Sequence, residues 1–206
     1  INAEAVKTLA CAARDNGSRL IHISTDYVFD GTNHRPYGEA DGTNPVSVYG
    51  QTKLAGEALL QETLADAVIV RTSWLYSETG NNFVKTMLRL GKERKELKVV
   101  FDQIGTPTYA GDLAKALLSI LDREKNQGYV PGIYHFSNEG VCSWYDFARK
   151  IMELSGLPCK VIPIETKDYP TPAVRPAYSV LNKTKIKETY NLAIPHWEEA
   201  LRGIAP

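Results

Sequence analysis

Residues 19–27 read RLIHISTDY, a short apolar run that ends in a serine, a threonine, an aspartate and a tyrosine. A continuous apolar run of this length is typical of a strand that is buried on both faces. Ser24, Thr25 and Asp26 would then lie at the carboxyl end of the strand. Parallel α/β sheets bind their ligands at this end. The run therefore predicts a buried strand, with neighbours on both sides, and a candidate binding site.

Helical and strand-like patterns alternate on both sides of this run. Apolar residues at helical spacing precede it over residues 2–16, and a second buried-strand pattern, AVIVRT, occupies residues 67–72. Between them, Asn44 and Pro45 predict a helix that runs to about residue 64, with Asn44 as its N-cap. The alternation predicts an α/β fold built on a parallel sheet.

The same signals predict further helices and strands after residue 80. The predicted helices span residues 82–94, 111–121, 143–155, 183–190 and 195–203, and the predicted strands span residues 97–101, 132–136 and 161–164. Ser143 is the predicted N-cap of the helix that follows it. No internal repeat or linker-like tract separates the second half from the first, so we expect it to fold onto the first half.

Composition excludes several classes of protein. The 206 residues are 43% hydrophobic and 23% charged, which is enough to bury a core. The chain carries 24 basic and 24 acidic residues, so no net field favours nucleic acid or a membrane surface as a partner. Apolar runs fall far short of the ~20 residues that a membrane helix needs. The three cysteines, Cys11, Cys142 and Cys159, form no CxxC pair, which favours a reducing, cytoplasmic location.

Tyr49 and Lys53 are the strongest candidates for chemistry. They are four residues apart on the predicted helix, so both side chains project from one face. An ammonium near a phenol stabilises the phenolate, which suits the phenol to proton transfer. An amphipathic helix with a surface lysine has the same spacing. The context favours chemistry, because Thr72, Ser73 and Trp74 end the next strand and would bring polar groups and an indole to the same crevice.

Longer motifs resemble the extended short-chain dehydrogenase/reductases, and most closely the dTDP-4-dehydrorhamnose reductases. They are STDYVFDG at residues 24–31, NPxxxYGxxKLxGE at 44–57, RTSWLYS at 71–77, DQIGTPT at 102–108 and RPAYSVLN at 175–182. The resemblance covers nearly the whole chain. It implies a partial Rossmann-type, doubly wound parallel sheet with a smaller mixed α/β substrate domain. Residues 1–80 would be the second half of the dinucleotide-binding domain, and residues 81–206 would form mainly the substrate domain.

The resemblance also implies an activity and a set of site residues. Family members reduce the 4-keto group of dTDP-4-dehydro-L-rhamnose with NADPH or NADH, which completes dTDP-L-rhamnose for polysaccharide biosynthesis. The implied catalytic residues are Thr25, Tyr49 and Lys53, the implied cofactor-binding residues are Ser24, Tyr49 and Lys53, and the implied substrate-binding residues are Thr25, Asp26, Tyr27 and Trp74. Tyr49 would supply the proton, Lys53 would bind the nicotinamide ribose, and Thr25 would hydrogen-bond the keto oxygen.

The chain departs from the family pattern in one large respect. Family members begin with a Gly-rich turn that binds the cofactor pyrophosphate, and no glycines of this chain have that spacing. We therefore expect that a segment of roughly 80 residues is absent at the amino end. The 206 residues alone should then be inactive, and the choice between NADPH and NADH is left open. Some relatives use Mg²⁺ at a dimer contact, for which no ligands can be assigned here.

Several other residues have a structural interpretation. His22 is expected to be a packed residue and not a metal ligand, and Cys142 is expected to be structural. Glu57 and Glu62 are expected on a solvated helix surface. Arg175 could pair with a nucleotide-sugar diphosphate or form a salt bridge.

Two other functions share the scaffold. A nucleotide-sugar epimerase or dehydratase shares Tyr-x-x-x-Lys, but Thr25 is followed by a single carboxylate and not by the acidic residues typical of dehydratases. A non-catalytic subunit resembling the regulator of methionine adenosyltransferase is the second alternative. The expected partner is a nucleotide sugar, and a second copy of the chain is a further candidate as a homodimer.

Overall fold

A computed structural model describes residues 1–128, 130–171 and 173–204. Its α-helices are α1 (Glu4–Asp15), α2 (Val48–Thr63), α3 (Phe83–Glu93), α4 (Ala110–Gln127), α5 (Trp144–Leu154), α6 (Thr184–Tyr190) and α7 (Trp197–Arg202). Its strands are β1 (Ile21–Thr25), β2 (Val68–Thr72), β3 (Leu75–Tyr76), β4 (Glu96–Val100), β5 (Ile104–Gly105), β6 (Thr108–Tyr109), β7 (Gly132–Phe136), β8 (Cys142–Ser143) and β9 (Lys160–Ile164).

A parallel sheet of order β1-β2-β7 forms the centre of the molecule, which confirms the predicted α/β class. Thr25 pairs with Thr72, and Thr72 pairs with Phe136, so the three strands end at one edge of the sheet. Among the described residues β1 is an edge strand that pairs with β2 alone, and its first three residues are partly exposed. The second neighbour predicted for β1 would come from the segment expected before it, so that prediction stays untested.

Helices cover both faces of this sheet. Ile69 packs with α1 and α2, whereas Val68 and Val70 pack with α4 and α6. This alternation follows from the two-residue repeat of a strand, which sends successive side chains to opposite faces. Each of these fully buried aliphatic side chains contributes about 1.5–3 kcal/mol relative to exposure. All five residues of β2 are buried, because β2 lies between β1 and β7 and is covered by helices on both faces.

A second core lies between α3, α5 and the parallel pair β4-β9. Met87, Phe147 and Trp197 are buried in it. Ser143 caps α5 as predicted, and Asp146 completes the capping box by accepting a hydrogen bond from the Ser143 backbone. This cap fixes the start of α5 and thereby the position of Trp144, its first residue.

Two helix boundaries differ from prediction by three residues or more. Helix α2 begins at Val48 and is capped by Ser47, whose hydroxyl accepts a 3.1 Å hydrogen bond from the Gly50 N–H. Asn44 is therefore not its N-cap: the Asn44 side chain donates to Asp30 at 3.3 Å. Helix α4 continues to Gln127, beyond the predicted end at residue 121. Among the described residues, no helix has the length and apolar character to cross a membrane.

Candidate active site

The polar side chains that end β1 are buried. Ser24, Thr25 and Asp26 are each at most 5% exposed. The Thr25 hydroxyl donates to Asp26 Oδ1 at 3.0 Å and accepts from the Tyr27 N–H at 3.2 Å. The Thr25 side chain thereby caps a single 3₁₀ turn, and this turn places Tyr27 beside the strand end.

Asp26 is a carboxyl group that titrates near neutrality. Burial raises its pKa from 3.8 to about 7, and hydrogen bonds from Ser179 and Thr25 oppose that rise. The group is thus present in both protonated and ionised forms near pH 7. In the protonated form it can donate a hydrogen bond as well as accept one.

Helix α2 approaches the end of β1 closely at Gly50. A Cβ at this position would lie 2.1 Å from the Tyr27 carbonyl oxygen, so only glycine allows this packing. The neighbouring Tyr49 is 49% exposed, and its ring meets the Tyr27 ring edge to face at 5.8 Å. The phenol of Tyr49 therefore stands at the carboxyl end of the sheet, where the sequence predicted it.

Lys53 lies one turn further along α2 and is partly buried. Its ammonium donates to the Ile23 carbonyl at 2.6 Å and lies 3.4 Å from His22 Nε2. Burial lowers the pKa of Lys53, and the Glu57 carboxylate opposes this. Burial and the Lys53 charge lower the pKa of His22 to about 4, so its imidazole is neutral at pH 7. His22 thus packs against Lys53, and the described residues contain no metal-binding cluster of His, Cys, Asp or Glu.

Trp74 adopts an unusual backbone conformation after β2. Its φ of 45° lies in the left-handed region, which costs a non-glycine residue on the order of 1 kcal/mol. The Thr108 N–H donates to its carbonyl at 3.1 Å, and its ring stacks on Trp144 with centroids 3.6 Å apart. A Cβ at Gly105 would lie 2.6 Å from the Trp74 ring, so the indole is held on this side as well.

One cavity of about 440 Å³ brings these elements together. We call Thr25, Asp26, Tyr49 and Lys53 its polar wall, and Trp74 with Trp144 its aromatic wall. All seven site residues that the family resemblance implies lie in its lining, namely Ser24, Thr25, Asp26, Tyr27, Tyr49, Lys53 and Trp74. Trp144 also lines the cavity and was not predicted, because no local sequence signal connects it to Trp74, 70 positions earlier.

A larger cavity of about 580 Å³ adjoins the first. Trp144 and the exposed Arg175 line both cavities. Apolar side chains of α3 and β4, among them Phe83, Leu90 and Val99, form much of its surface. A ligand with an apolar or aromatic end could therefore extend from the first cavity into the second and pass Arg175 on the way.

The prediction for Glu57 is wrong. Glu57 is 1% exposed and forms a bidentate ion pair with Arg71, which is also buried. Glu62, on the same helix, is exposed as predicted. The overlooked signal was Arg71 itself, since an arginine inside a strand that is buried on both faces needs a carboxylate partner.

Comparisons with known proteins agree with the geometry. A family model described as the RmlD substrate binding domain matches residues 1–205. The chain is 48% identical to the spore coat polysaccharide biosynthesis protein SpsK of Bacillus subtilis over 90% of the chain and 63% of that protein. It is 45% identical to the dTDP-4-dehydrorhamnose reductase of Escherichia coli strain K12 over 98% of the chain and 70% of the enzyme.

A solved structure shows the same fold. The dTDP-4-dehydrorhamnose reductase of Bacillus anthracis, in complex with NADP, superposes with a TM-score of 0.94 at 42% identity. The match covers 99% of the chain and 71% of that structure. The chain thus spans between about three fifths and three quarters of the length of these relatives. It belongs to the dTDP-4-dehydrorhamnose reductase family, through its RmlD substrate binding domain, as its motifs predicted.

Proposed function

We propose that the chain carries the catalytic and sugar-binding part of an NAD(P)H-dependent dTDP-4-dehydrorhamnose reductase. The reaction reduces the 4-keto group of dTDP-4-dehydro-L-rhamnose and yields dTDP-L-rhamnose. The observation that carries this proposal is the shared cavity, in which Thr25, Tyr49 and Lys53 stand together beside a stacked indole pair. The name of the E. coli relative supports it.

The donor set of the polar wall fits a nicotinamide ribose. The Lys53 ammonium has three N–H donors, and its described contacts are the Ile23 carbonyl and the His22 ring. A further donor remains for a ribose hydroxyl, and the Tyr49 phenol and Ser24 line the same cavity. When bound, the reduced nicotinamide supplies a hydride. The NADP complex of the B. anthracis relative supports this cofactor, with NADH as the alternative.

Tyr49 is positioned to supply the proton. As C4 is reduced, its oxygen develops negative charge, and the phenol donates a proton to that oxygen. The phenolate that remains on Tyr49 is stabilised by the Lys53 cation on the same helix face. The proton thus moves from the Tyr49 hydroxyl to the C4 oxygen, and Lys53 keeps its own protons.

Thr25 would orient the keto oxygen. In the structure its hydroxyl hydrogen points to Asp26 Oδ1. When Asp26 is protonated, it can donate to the Thr25 oxygen instead, and this frees the Thr25 hydrogen for the substrate. The pKa of about 7 makes that exchange accessible near neutral pH. Thr25 would then stabilise charge on the oxygen as it develops.

The two adjoining cavities suit a nucleotide sugar. The sugar would pack on Trp74 in the smaller cavity, with Asp26 and Tyr27 near its hydroxyls. The nucleoside would occupy the larger, mainly apolar cavity. Arg175 lines both and would bind the diphosphate between them, for which a guanidinium is well suited.

The division at residue 80 is likewise a proposal. Residues 1–80 supply β1, β2 and the helix with Tyr49, which suits a cofactor-binding part. The α3, α5 and β4-β9 core suits a substrate-binding part. Strand β7 and helices α4 and α6 come from the later segment and pack on the first sheet, so the two parts share one framework.

The three cysteine thiols are free, which supports a reducing compartment such as the cytoplasm as the location. A homodimer stays a prediction. Sedimentation of the complete gene product would test the assembly, and fractionation would test the location.

The first test is enzymatic and uses the complete gene product, because the chain spans only part of its relatives. Oxidation of NADPH and of NADH is followed with dTDP-4-dehydro-L-rhamnose and with UDP-galactose, an epimerase substrate, as the control sugar. The proposal predicts oxidation of a reduced cofactor that depends on the keto sugar. Conversion of the control sugar without net oxidation would instead indicate an epimerase.

A further inference from the structure

Three functional groups follow one another along a single face of α2. Tyr49, Lys53 and Glu57 are spaced at intervals of four residues, so they lie one turn apart in succession. The first two line the cavity, whereas Glu57 is almost fully buried beneath it. The mechanism above gives Glu57 no part, although a buried carboxylate is costly.

Glu57 holds the ends of two strands to the helix. Arg71 of β2 donates to Glu57 Oε1 at 3.0 Å through Nε and to Oε2 at 2.6 Å through Nη2. The Ser24 hydroxyl of β1 donates to Glu57 Oε1. Ser24 directly precedes Thr25, so the carboxylate is one residue away from a member of the polar wall.

Arg71 depends on Glu57 as its counter-charge. The Arg71 guanidinium carbon lies 5.2 Å from the centre of the Phe29 ring. Nη1 of Arg71 has no hydrogen-bond partner in the part of the chain that the structure describes. Removing one member of such a buried pair leaves the other charge uncompensated. The Glu57–Arg71 ion pair therefore holds α2 in one position relative to the sheet.

Glu57 also acts on the charge of Lys53. Burial lowers the pKa of Lys53, and Glu57 raises it. His22 faces Lys53 from β1 but has a pKa of about 4, so it stays neutral above pH 5 or so. Tyr49 faces Lys53 along α2, and Asp26, whose pKa is about 7, lines the same cavity and is also anionic at alkaline pH. The anion whose charge raises the pKa of Lys53 is Glu57.

We propose that Glu57 is a positioning residue for proton transfer. Its carboxylate ties α2 to the ends of β1 and β2 through Ser24 and Arg71. This tie sets where Lys53 stands on the cavity wall and keeps the lysine cationic. The inference rests on the proposed function for the reaction it serves, but its contacts are independent of it.

The variant Glu57→Gln keeps the size of the side chain and removes its charge. We expect kcat to fall on the order of tenfold or more, with little change in KM for the nucleotide sugar. The alkaline limb of the kcat profile should move to lower pH by about one unit, because Lys53 loses its anionic neighbour. The control is Glu62→Gln, which removes an exposed carboxylate from the same helix and should change neither quantity.

The double variant Glu57→Gln/Arg71→Gln tests the same proposal if the single variant fails to fold. It leaves no uncompensated charge, so the folded state does not carry the cost of a buried lone cation. We expect the shift of the alkaline limb to persist in it. A double variant with the kcat and pH profile of the unmodified protein would overturn the proposal and leave Glu57 with a structural role alone.

A second readout needs no turnover. Acetic anhydride acetylates a lysine amine when the amine is neutral and not when it is protonated. The extent of Lys53 acetylation, measured by peptide mass spectrometry at a series of pH values, therefore reports the titration of Lys53. The midpoint should lie lower in Glu57→Gln than in the unmodified protein, and an unchanged midpoint would overturn the proposal. If no reduced cofactor is oxidised at all, the proposed function fails while this measurement still tests Glu57.

Discussion

The two walls of the smaller cavity are built in different ways. The polar wall is held by hydrogen bonds and ion pairs, from Thr25 and Asp26 at the end of β1 to the buried Glu57–Arg71 pair under α2. The aromatic wall is held by packing, with Trp74 stacked on Trp144 and pressed against Gly105. Directional bonds fix the positions of Thr25 and Lys53, whereas stacked rings offer an apolar face to a ligand. On the proposed function, the polar wall carries the proton transfer, and the aromatic wall supplies the apolar surface on which the sugar packs.

The largest effect is expected from Tyr49→Phe on the polar wall. The variant loses the phenolic proton and keeps the ring, so kcat should fall by roughly 100- to 10,000-fold while the KM values change little. Steady-state kinetics of the complete gene product would measure this. Tyr145→Phe, which removes a phenol outside both walls, is the control. A kcat equal to that of the unmodified protein would remove Tyr49 as the proton donor.

Gly105→Ala tests how tightly the aromatic wall is packed. The added methyl group would lie 2.6 Å from the Trp74 ring, and the glycine has no positive φ that would add backbone strain. We expect a loss of about 1–3 kcal/mol in the free energy of unfolding, measured by urea denaturation. Gly42→Ala is the matched control, since a Cβ there meets nothing within 4 Å. Equal stability of the two variants would contradict the packing account.

Trp144→Leu tests recognition by the aromatic wall. The leucine keeps an apolar side chain at the start of α5 but cannot stack on Trp74. We expect KM for the nucleotide sugar to rise on the order of tenfold, which corresponds to about 1.4 kcal/mol, while kcat is less affected. A variant with unchanged KM and strongly lowered kcat would reverse the assignment of the two walls.

Asp26→Asn tests the polar wall through the pH dependence of stability. The folded pKa of about 7 exceeds the ordinary value of 3.8, so the stability that Asp26 contributes is fully present below about pH 4 and is lost as pH rises through about 7. Asparagine does not titrate. The free energy of unfolding of the variant, relative to the unmodified protein, should therefore increase with pH over this interval, by at most about 1.4 kcal/mol per pH unit. A difference that does not vary with pH would show that burial does not raise the pKa.

Much of the fold could be predicted because its signals are local. The strand of residues 132–136 has the predicted bounds, and Ser143 caps α5 as expected. Helix α2 begins three residues later than predicted. Asn44 and Ser47 are both good N-cap residues, but the Asn44 side chain bonds to Asp30, and Ser47 caps the helix. The apolar run of β1 predicts burial of both faces of the strand but not its pairing partners, which are a property of the whole sheet.

The candidate site could be predicted in part, because some of its signals are local. Tyr49 and Lys53 share a helix face by their spacing, and parallel pairing brings the ends of β1 and β2 together. Glu57 was misjudged because spacing alone does not show that Arg71 faces it from another element. Trp144 was missed because its contact with Trp74 joins α5 to the end of β2 across the fold.

Transfer of deuterium tests the central claim most directly. The complete gene product would be incubated with dTDP-4-dehydro-L-rhamnose and NADPH that carries deuterium at the transferable position of its nicotinamide, and the product would be analysed by NMR. The account predicts dTDP-L-rhamnose with deuterium at C4 of the sugar and one equivalent of oxidised cofactor. A sugar recovered without deuterium at C4, or with its keto group intact, would contradict it.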